Sequence, residues 1–389
     1  MSKTTKTIIW LIVAIVVIAG IWWGVTRKPA QPPTTEKEVI KIGATLPLTG
    51  SLSYKGSYEL KGMKMAVDEI NATGGINGKK LILVVEDNKG DPKQAVTGVQ
   101  KLIDVDNVLA ILSAFTHISS AIVPVIEERN NVLIYESTVS SLAESSDNVF
   151  KDYYSMKDVG EAFAQAAYRE KVKNIGLLYP ISEWGNDFKT GFEEKAKELG
   201  INILIEEPFD FGATDLRTEI LKIKEKGVDG IASTGLEKHT LLMLKSINDL
   251  NLLDKKLFML ELLTKNIKES SVSMHVIKET NAISSWYYFD PSSSDQRVRN
   301  FVKNYKKRYN EEPTADAVYF YDDIYVLSDV LKICDKKKQL TSSCIITELK
   351  RIKNYNGIAG PMNFDKKGVC NRPIKLFQFI DDGWVPYEL

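Results

Sequence analysis

VIKIGATLPLTGSLSYKGSYELKGMKMAVDEINATGGINGKKLILVVED, residues 39–87, contains a strand, a helix and a second strand in that order. Ile40, Ile42, Ala44 and Leu46 alternate with their neighbours, the two-residue period of a strand. Leu60, Met63, Val67 and Ile70 recur at three- and four-residue steps and mark one face of a helix. Gly74-Gly75 closes that helix, because glycine takes the left-handed backbone conformation without steric cost. Residues 81–85 are an apolar run ending in Glu86-Asp87.

The same beat continues outward. Asp91-Pro92 is a helix cap followed by proline at the first helical position, and Val96, Val99 and Ile103 form the face of that helix. Strands are predicted at 108–112 and 132–135 with a helix between them. A second block follows: strand 175–179, helix 184–199, strand 201–205, helix 216–226, then strands 228–232 and 257–260 around another helix. Two successive βαβα blocks predict two doubly wound parallel-sheet lobes. Helices are predicted after Asp295, after Thr314 and over 341–353. The tail returns to strand character at 374–380 before an Asp381-Asp382-Gly383 turn.

Lysine plus arginine equals aspartate plus glutamate at 51 each. A balanced chain lacks the basic footprint that nucleic acid requires, so that partner class is excluded. The three cysteines, Cys334, Cys344 and Cys370, have neither CxxC nor Cys/His metal spacing. No metal and no cofactor is therefore expected. No Walker A, HExxH or GxSxG motif is present, and three histidines cannot supply an obvious triad, so no enzyme is expected. His239 and His275 are isolated and read as surface residues. Cys334 and Cys344 can pair in an oxidising compartment or remain free thiols.

Residues 8–25 carry no charge. As a helix they span roughly 27 Å at 1.5 Å per residue, close to the thickness of a bilayer core. Trp10, Trp22 and Trp23 lie near the ends, where indoles favour the membrane interface. A cleaved signal peptide is the competing reading, but the exit Gly-Ile-Trp-Trp-Gly-Val is bulky and lacks a small-x-small site. The expectation is a cytoplasmic tail at 1–7, a transmembrane anchor at 8–25 and a proline-rich linker at 26–38. The folded body then stands outside the cytoplasm on a single-pass membrane protein.

Residues 42–50, Ile-Gly-Ala-Thr-Leu-Pro-Leu-Thr-Gly, together with Gly56 and residues 66–78, resemble the leucine/isoleucine/valine-binding family of type I periplasmic solute-binding proteins. Asp87, Asp91-Pro92, Ala95 and residues 360–368 continue the resemblance, which covers 39–389. It implies two lobes joined at a hinge by three crossings, near Tyr154, Ile283 and Asp365. Lobe 1 is then 39–154 and 284–365, and lobe 2 is 155–283 and 366–389. A small ligand, by default an amino acid, sits in the cleft between them.

In a doubly wound sheet, ligands lie at the carboxyl ends of the strands, against helix N-termini. Two hydroxyl-rich loops occupy such places, at 113–120 and 136–141; on their own they read as ordinary helix caps. The resemblance implies that Thr116, His117 and Ser119 of the first, and Thr138, Val139 and Ser140 of the second, contact the ligand. The family pattern Ser-Pro-x-Ala-Thr is Glu136-Ser137-Thr138-Val139-Ser140 here. Glu136 disfavours a second carboxylate and attracts an amine. In lobe 2, Leu236 and Glu237 follow one strand and Glu261 follows the next, where it is expected to meet a ligand ammonium. Trp184 is a cleft wall or a packing residue at a helix start. Lys55 replaces an aromatic that often precedes Gly56, and Tyr54 beside it compensates. The function implied is the solute-binding component of an ABC-type importer, with permease subunits as partners. The alternatives are a sensing ectodomain acting through a partner subunit, or binding of an amide, urea-like or aromatic acid ligand.

Overall fold

The computed structural model describes residues 3–26, 38–260, 265–287, 289, 291 and 293–389. It divides into two units, 1–38 and Val39–Leu389. The first carries α1 (Lys3–Thr26). Its 24 residues reach about 36 Å at the helical rise. Among the described residues it is the one helix long and apolar enough to cross a membrane.

The second unit opens with β1 (Val39–Leu46), α2 (Ser53–Ala72), β2 (Lys80–Asp87), α3 (Pro92–Asp104), β3 (Ile111–Ala114), α4 (Thr116–Glu128), β4 (Leu133–Glu136), α5 (Ser141–Ser145) and β5 (Val149–Tyr153). Then come α6 (Met156–Arg169), β6 (Asn174–Pro180), α7 (Glu183–Leu199), β7 (Asn202–Phe209), α8 (Arg217–Glu225), β8 (Gly230–Ser233), α9 (Glu237–Asp249), β9 (Lys256–Leu260), α10 (Lys265–Glu269), α11 (Ser271–Glu279) and β10 (Ile283–Tyr287). Three helices follow, α12 (Gln296–Tyr309), α13 (Ala315–Lys336) and α14 (Ser342–Leu349). The chain ends with β11 (Tyr355–Gly357), β12 (Gly360–Met362), β13 (Val369–Asn371), β14 (Ile374–Ile380) and β15 (Gly383–Tyr387).

The strands form two main sheets, ordered β13-β5-β4-β3-β1-β2 in lobe 1 and β15-β14-β10-β9-β8-β6-β7 in lobe 2. Lobe 1 is parallel throughout, and lobe 2 is parallel as far as β10. β14 and β15 add an antiparallel hairpin at one edge of lobe 2. Asp381 and Asp382 both have positive φ (47° and 63°), the two-residue left-handed turn whose twist matches paired strands. Each sheet is covered on both faces. In lobe 1, α2 and α13 bury Met63, Val67, Ile324 and Leu327 on one side. On the other, α3 and α4 bury Val99, Leu102 and Ile122. In lobe 2, Phe163 and Phe188 of α6 and α7 oppose Ile220, Met243 and Ile277 of α8, α9 and α11 across the sheet.

The strand pairing also locates the crossings. β10 is parallel to β9, and β13 is parallel to β5. The chain therefore leaves lobe 2 after Tyr287 and lobe 1 after Asn371, later than the crossings expected near Ile283 and Asp365. A three-residue strand such as β13 carries no readable period, so only its partner places it.

Two buried cations pin these crossings. Arg372 is fully buried. It donates to both carboxylate oxygens of Asp152 at 2.6 and 2.7 Å, to Gly360 O at 2.7 Å and to Asp322 Oδ2 at 3.4 Å. Lys151 Nζ donates to Tyr153 O at 2.7 Å and to Asn371 Oδ1 at 2.9 Å. Strand β5 and the segment after β13 are thus tied by charge-assisted bonds with no water between them.

Candidate functional site

Both sheets have the doubly wound order 2-1-3-4-5, so the strand order reverses between β1 and β3 in lobe 1 and between β6 and β8 in lobe 2. Crevices form at such reversals, outside the carboxyl ends of the strands. The two carboxyl edges face each other. Ser141, opening α5 beyond β4, donates to Glu183 Oε1 at 2.7 Å, and Glu183 opens α7 beyond β6. The cleft is bounded by the loops following β1, β3 and β4 on one side and β6 and β8 on the other.

Side-chain caps start many of the helices, and Ser182 caps α7 at the lobe 2 reversal in this way. Asp91, Ser155, Asp295, Thr314 and Thr341 cap α3, α6, α12, α13 and α14 through their side chains. By contrast, α2 and α4, which follow the two strands at the lobe 1 reversal, start at Leu52 and Phe115 with no side-chain cap. At the start of α2 the Ser53 and Lys55 N–H groups turn back onto Gly50 O and Leu52 O, at 3.2 and 3.1 Å, so it is the start of α4 that suits an anionic oxygen, which the helix dipole also favours. Phe115 has φ 68° and ψ 129°, a strained backbone for a bulky residue. Its N–H donates to Glu136 O at 3.1 Å, which fastens that turn to the end of β4.

The lobe 1 residues singled out from sequence separate into two sets. Thr116 is half-buried and its Oγ1 lies 2.6 Å from Ser137 Oγ, joining the two hydroxyl loops. His117 and Tyr54 are exposed, and Thr138 and Ser140 are half-buried. Ser140 stands before α5 without capping it through its hydroxyl, so the reading of this residue as an ordinary cap does not hold. Ser119 and Val139 turn inward. Ser119 is buried and its hydroxyl lies 3.2 Å from Ser113 Oγ. The Val139 carbonyl accepts from Tyr135 OH at 2.8 Å, and its N–H donates to Ser137 Oγ at 3.2 Å. Successive residues of a helix start point about 100° apart, so a run of hydroxyls there cannot all face one ligand.

In lobe 2, Trp184 is half-buried on α7 and packs edge-on against Phe211, with ring centroids 6.4 Å apart. Glu237 opens α9 and accepts from the Asn266 side-chain amide. Glu261 lies outside the described residues. His239, expected at the surface, is 2% exposed. Its Nδ1 accepts from Leu236 N at 3.1 Å and its Nε2 lies 3.0 Å from Phe211 O. The ring therefore fastens the loop before α9 to the Phe211 turn. Burial pushes its pKa down, keeping it neutral. His275 is exposed, as expected.

Sequence reasoning singled out Glu136 but missed the other acids that gather with it beneath the lobe 1 loops. Glu59 of α2 and Glu136 of β4 are 2% and 5% exposed. Among the described residues, Glu59 Oε2 and Glu136 Oε1 have no hydrogen-bond partner. Burial, and then Asp316, push Glu59 up to about 8 against the pull of Lys55. Burial also raises Glu136 well above the carboxylate range, with Asp323, Glu59, Asp316 and Asp152 adding to it. Asp323 of α13 is raised by burial and by Asp152 beside it. Glu59 did leave a signal: it shares the i, i+4, i+7, i+11 face of Met63, Ala66 and Ile70, where an acid is out of place. A cavity of about 580 Å³ opens elsewhere, lined by Glu69, Tyr321, Tyr325 and Tyr355 among others. The hydroxyls of Tyr321 and Tyr325 are already taken up by Glu69, at 2.6 and 2.9 Å.

Comparison with known proteins agrees with this architecture. Residues 39–383 match the family model described as periplasmic binding protein. Leu/Ile/Val-binding protein homolog 7 of Brucella abortus is 25% identical over 296 residues, covering 71% of this chain and 72% of that protein. The branched-chain amino acid transporter substrate-binding protein LivJ of Streptococcus pneumoniae, solved with isoleucine, superposes with a TM-score of 0.75 at 22% identity. It covers 90% of this chain and 100% of its own. A fatty acid ABC transporter substrate-binding protein of Thermomonospora curvata superposes equally well, with a TM-score of 0.76 at 19% identity over 92% of this chain and 93% of its own. The last pair shows that one fold serves solutes of unlike chemistry. Sheet order, opposed carboxyl edges and the family match agree, and the chain belongs to the periplasmic binding protein family, in its type I fold.

Proposed function

We propose that this chain is the extracytoplasmic solute-binding component of an ABC-type importer, and that its solute is an amino acid or another small polar molecule of that size. The observation that carries this reading is the uncapped start of α4 at the strand reversal of lobe 1. It offers backbone N–H groups and a favourable dipole to a carboxylate. Thr116, Thr138 and Ser140 supply hydroxyls beside them, with Tyr54 and His117 at the rim. From lobe 2, Trp184 provides an apolar wall, and Glu237 and Glu261 provide acidic groups. Contacts from both lobes make the solute bind the closed form better than the open one, which is what drives closure. The closed form is then the species handed to permease subunits.

The apolar helix α1 holds the body at the outer face of the membrane in this reading. Full-length protein in detergent, screened by thermal shift against amino acids and small amides, tests the solute class. Stabilisation by an amino acid supports the proposal; stabilisation only by an unrelated class removes the amino acid. Retention of residues 1–25 in the mature protein, read by N-terminal sequencing of the membrane fraction, tests the anchor.

A further inference from the structure

The buried acids of lobe 1 bear on which solute the cleft takes. Glu136 ends β4, immediately before the loop that carries Ser137, Thr138 and Ser140. Glu59 lies on α2, one turn beyond Gly56, in the helix whose uncapped start faces the cleft. Glu136 lies near enough to Glu59 to feel its charge. Each has a buried oxygen that accepts from no described group. Such orphaned acceptors are rare in native interiors and call for a donor.

The surrounding charges sharpen this. Glu136 is faced by Asp323 and Asp316 of α13, Glu59 of α2 and Asp152 of β5. The cations at hand are largely committed elsewhere. Arg372 is bound by Asp152 and Asp322, and Lys151 by main-chain carbonyls and Asn371. Lys55 tempers Glu59 but does not cancel its burial. Acids crowd the mouth as well: Asp187 of α7 feels Glu183 of its own helix and Glu144 from α5 of the other lobe, with Lys151 and Lys157 opposing. In lobe 2, Thr234 Oγ1 just beyond β8 and Ser285 Oγ within β10 are also buried without partners among the described residues. No three His, Cys, Asp or Glu side chains among those residues are arranged to hold a metal ion.

We infer that the cleft selects a cationic solute, an amine-bearing molecule of net positive charge whose ammonium is seated on lobe 1 against Glu136 and Glu59. This rests on the solute-binding reading above and deepens it. A zwitterion brings one ammonium and adds one carboxylate, leaving the excess of acids uncompensated. A diamine or a basic amino acid supplies the donors that both carboxyls lack. The ammonium favours the ionised carboxylate, so a proton held by the acids leaves as the solute enters. Affinity consequently rises with pH across the neutral range.

The test uses full-length protein in detergent, with L-lysine, L-arginine and putrescine as one panel and L-leucine, L-isoleucine and L-valine as the other. At least one cationic probe is expected to raise the melting temperature by about 3 °C or more at millimolar concentration. It is also expected to bind at least about tenfold more tightly than any zwitterionic probe, a difference calorimetry reads directly. Titrations in phosphate and in Tris at pH 7 are expected to differ by the heat of about one released proton. Glu136→Gln is expected to abolish that release and weaken the cation about tenfold or more, with an unliganded melting temperature no lower than that of the parent. Glu59→Gln gives an independent reading of the same loss. Binding of leucine, isoleucine or valine with equal or greater affinity overturns the cationic inference while leaving a solute-binding function standing. Cation binding without proton release, unchanged in both variants, overturns the seat at Glu136 and Glu59. Silence from both panels overturns the amino-acid reading and this inference together.

Discussion

Arg372 is the residue on which the crossings depend most. It is a permanently charged group in the interior, tolerated because Asp152 meets it with two bonds and Asp322 and Gly360 both accept from its Nη1. Burial opposes ionisation of Asp152, but Arg372 outweighs it and holds that carboxyl below its ordinary value. Arg372→Met strands Asp152 without its counter-charge and is expected to cost about 3–5 kcal/mol, seen as a lower urea midpoint. Glu59 makes the opposite contribution. Its carboxyl is pushed up to about 8 in the folded protein, from an ordinary 4.5. Between those values the native state keeps a proton that the unfolded chain has lost, so this residue's contribution is fully present below pH 4.5 and disappears as pH rises through about 8. Urea midpoints at pH 5 and pH 8 are expected to converge in Glu59→Gln relative to the parent. The role of Arg372 is not visible in sequence, where it is one of many basic residues, and Glu59 shows there only as an acid on an apolar helix face.

Helices and strands were the most legible level. The predicted periods at 40–46, 60–70, 184–199 and 374–380 coincide with β1, α2, α7 and β14. The closeness of helix packing was not legible. A Cβ added at Gly160 of α6 would lie 2.1 Å from Phe188 O, and one at Gly191 of α7 would lie 2.0 Å from Lys157 O. The two helices therefore approach through reciprocal glycines. Gly191→Ala gains roughly 1 kcal/mol in helix propensity but forces backbone apart, at roughly 1–3 kcal/mol. A net loss in chemical denaturation is expected, and a net gain would mean the pair can separate freely. At the end of α13, Cys334 is joined to Cys344 of α14 across ten positions. Loop-closure entropy puts the value of this link at about 2–3 kcal/mol, so reductant is expected to lower the melting temperature. Cys370 is buried, with its sulfur accepting from Asn363 N, and does not compete for the pairing.

For the body as a whole, the proposed function has the cleft close over a solute through groups from both lobes. The Ser141–Glu183 bond is the direct tie across the mouth. It lies at an exposed position, so Ser141→Ala is expected to weaken solute binding by less than about 1 kcal/mol, acting mainly on the dissociation rate. Solution scattering is expected to show a smaller radius of gyration when solute is added, and no such change when the cleft is blocked. An unchanged radius with tight binding would mean that the lobes are already closed in the free protein.

Sequence alone determined the alternation of strand and helix, the two-lobed parallel architecture, the apolar helix and the pairing partners open to the cysteines. These follow from local periods and spacings that each segment carries by itself. Tertiary structure decided where the chain crosses between lobes, which hydroxyls face the cleft and which turn inward, that His239 is buried, and that Glu59, Glu136 and Asp323 meet. Those facts depend on contacts between residues tens to hundreds of positions apart. Burial then changes the chemistry of such groups, since a carboxyl ordinary in water becomes a proton-holding acid once the solvent around it is gone.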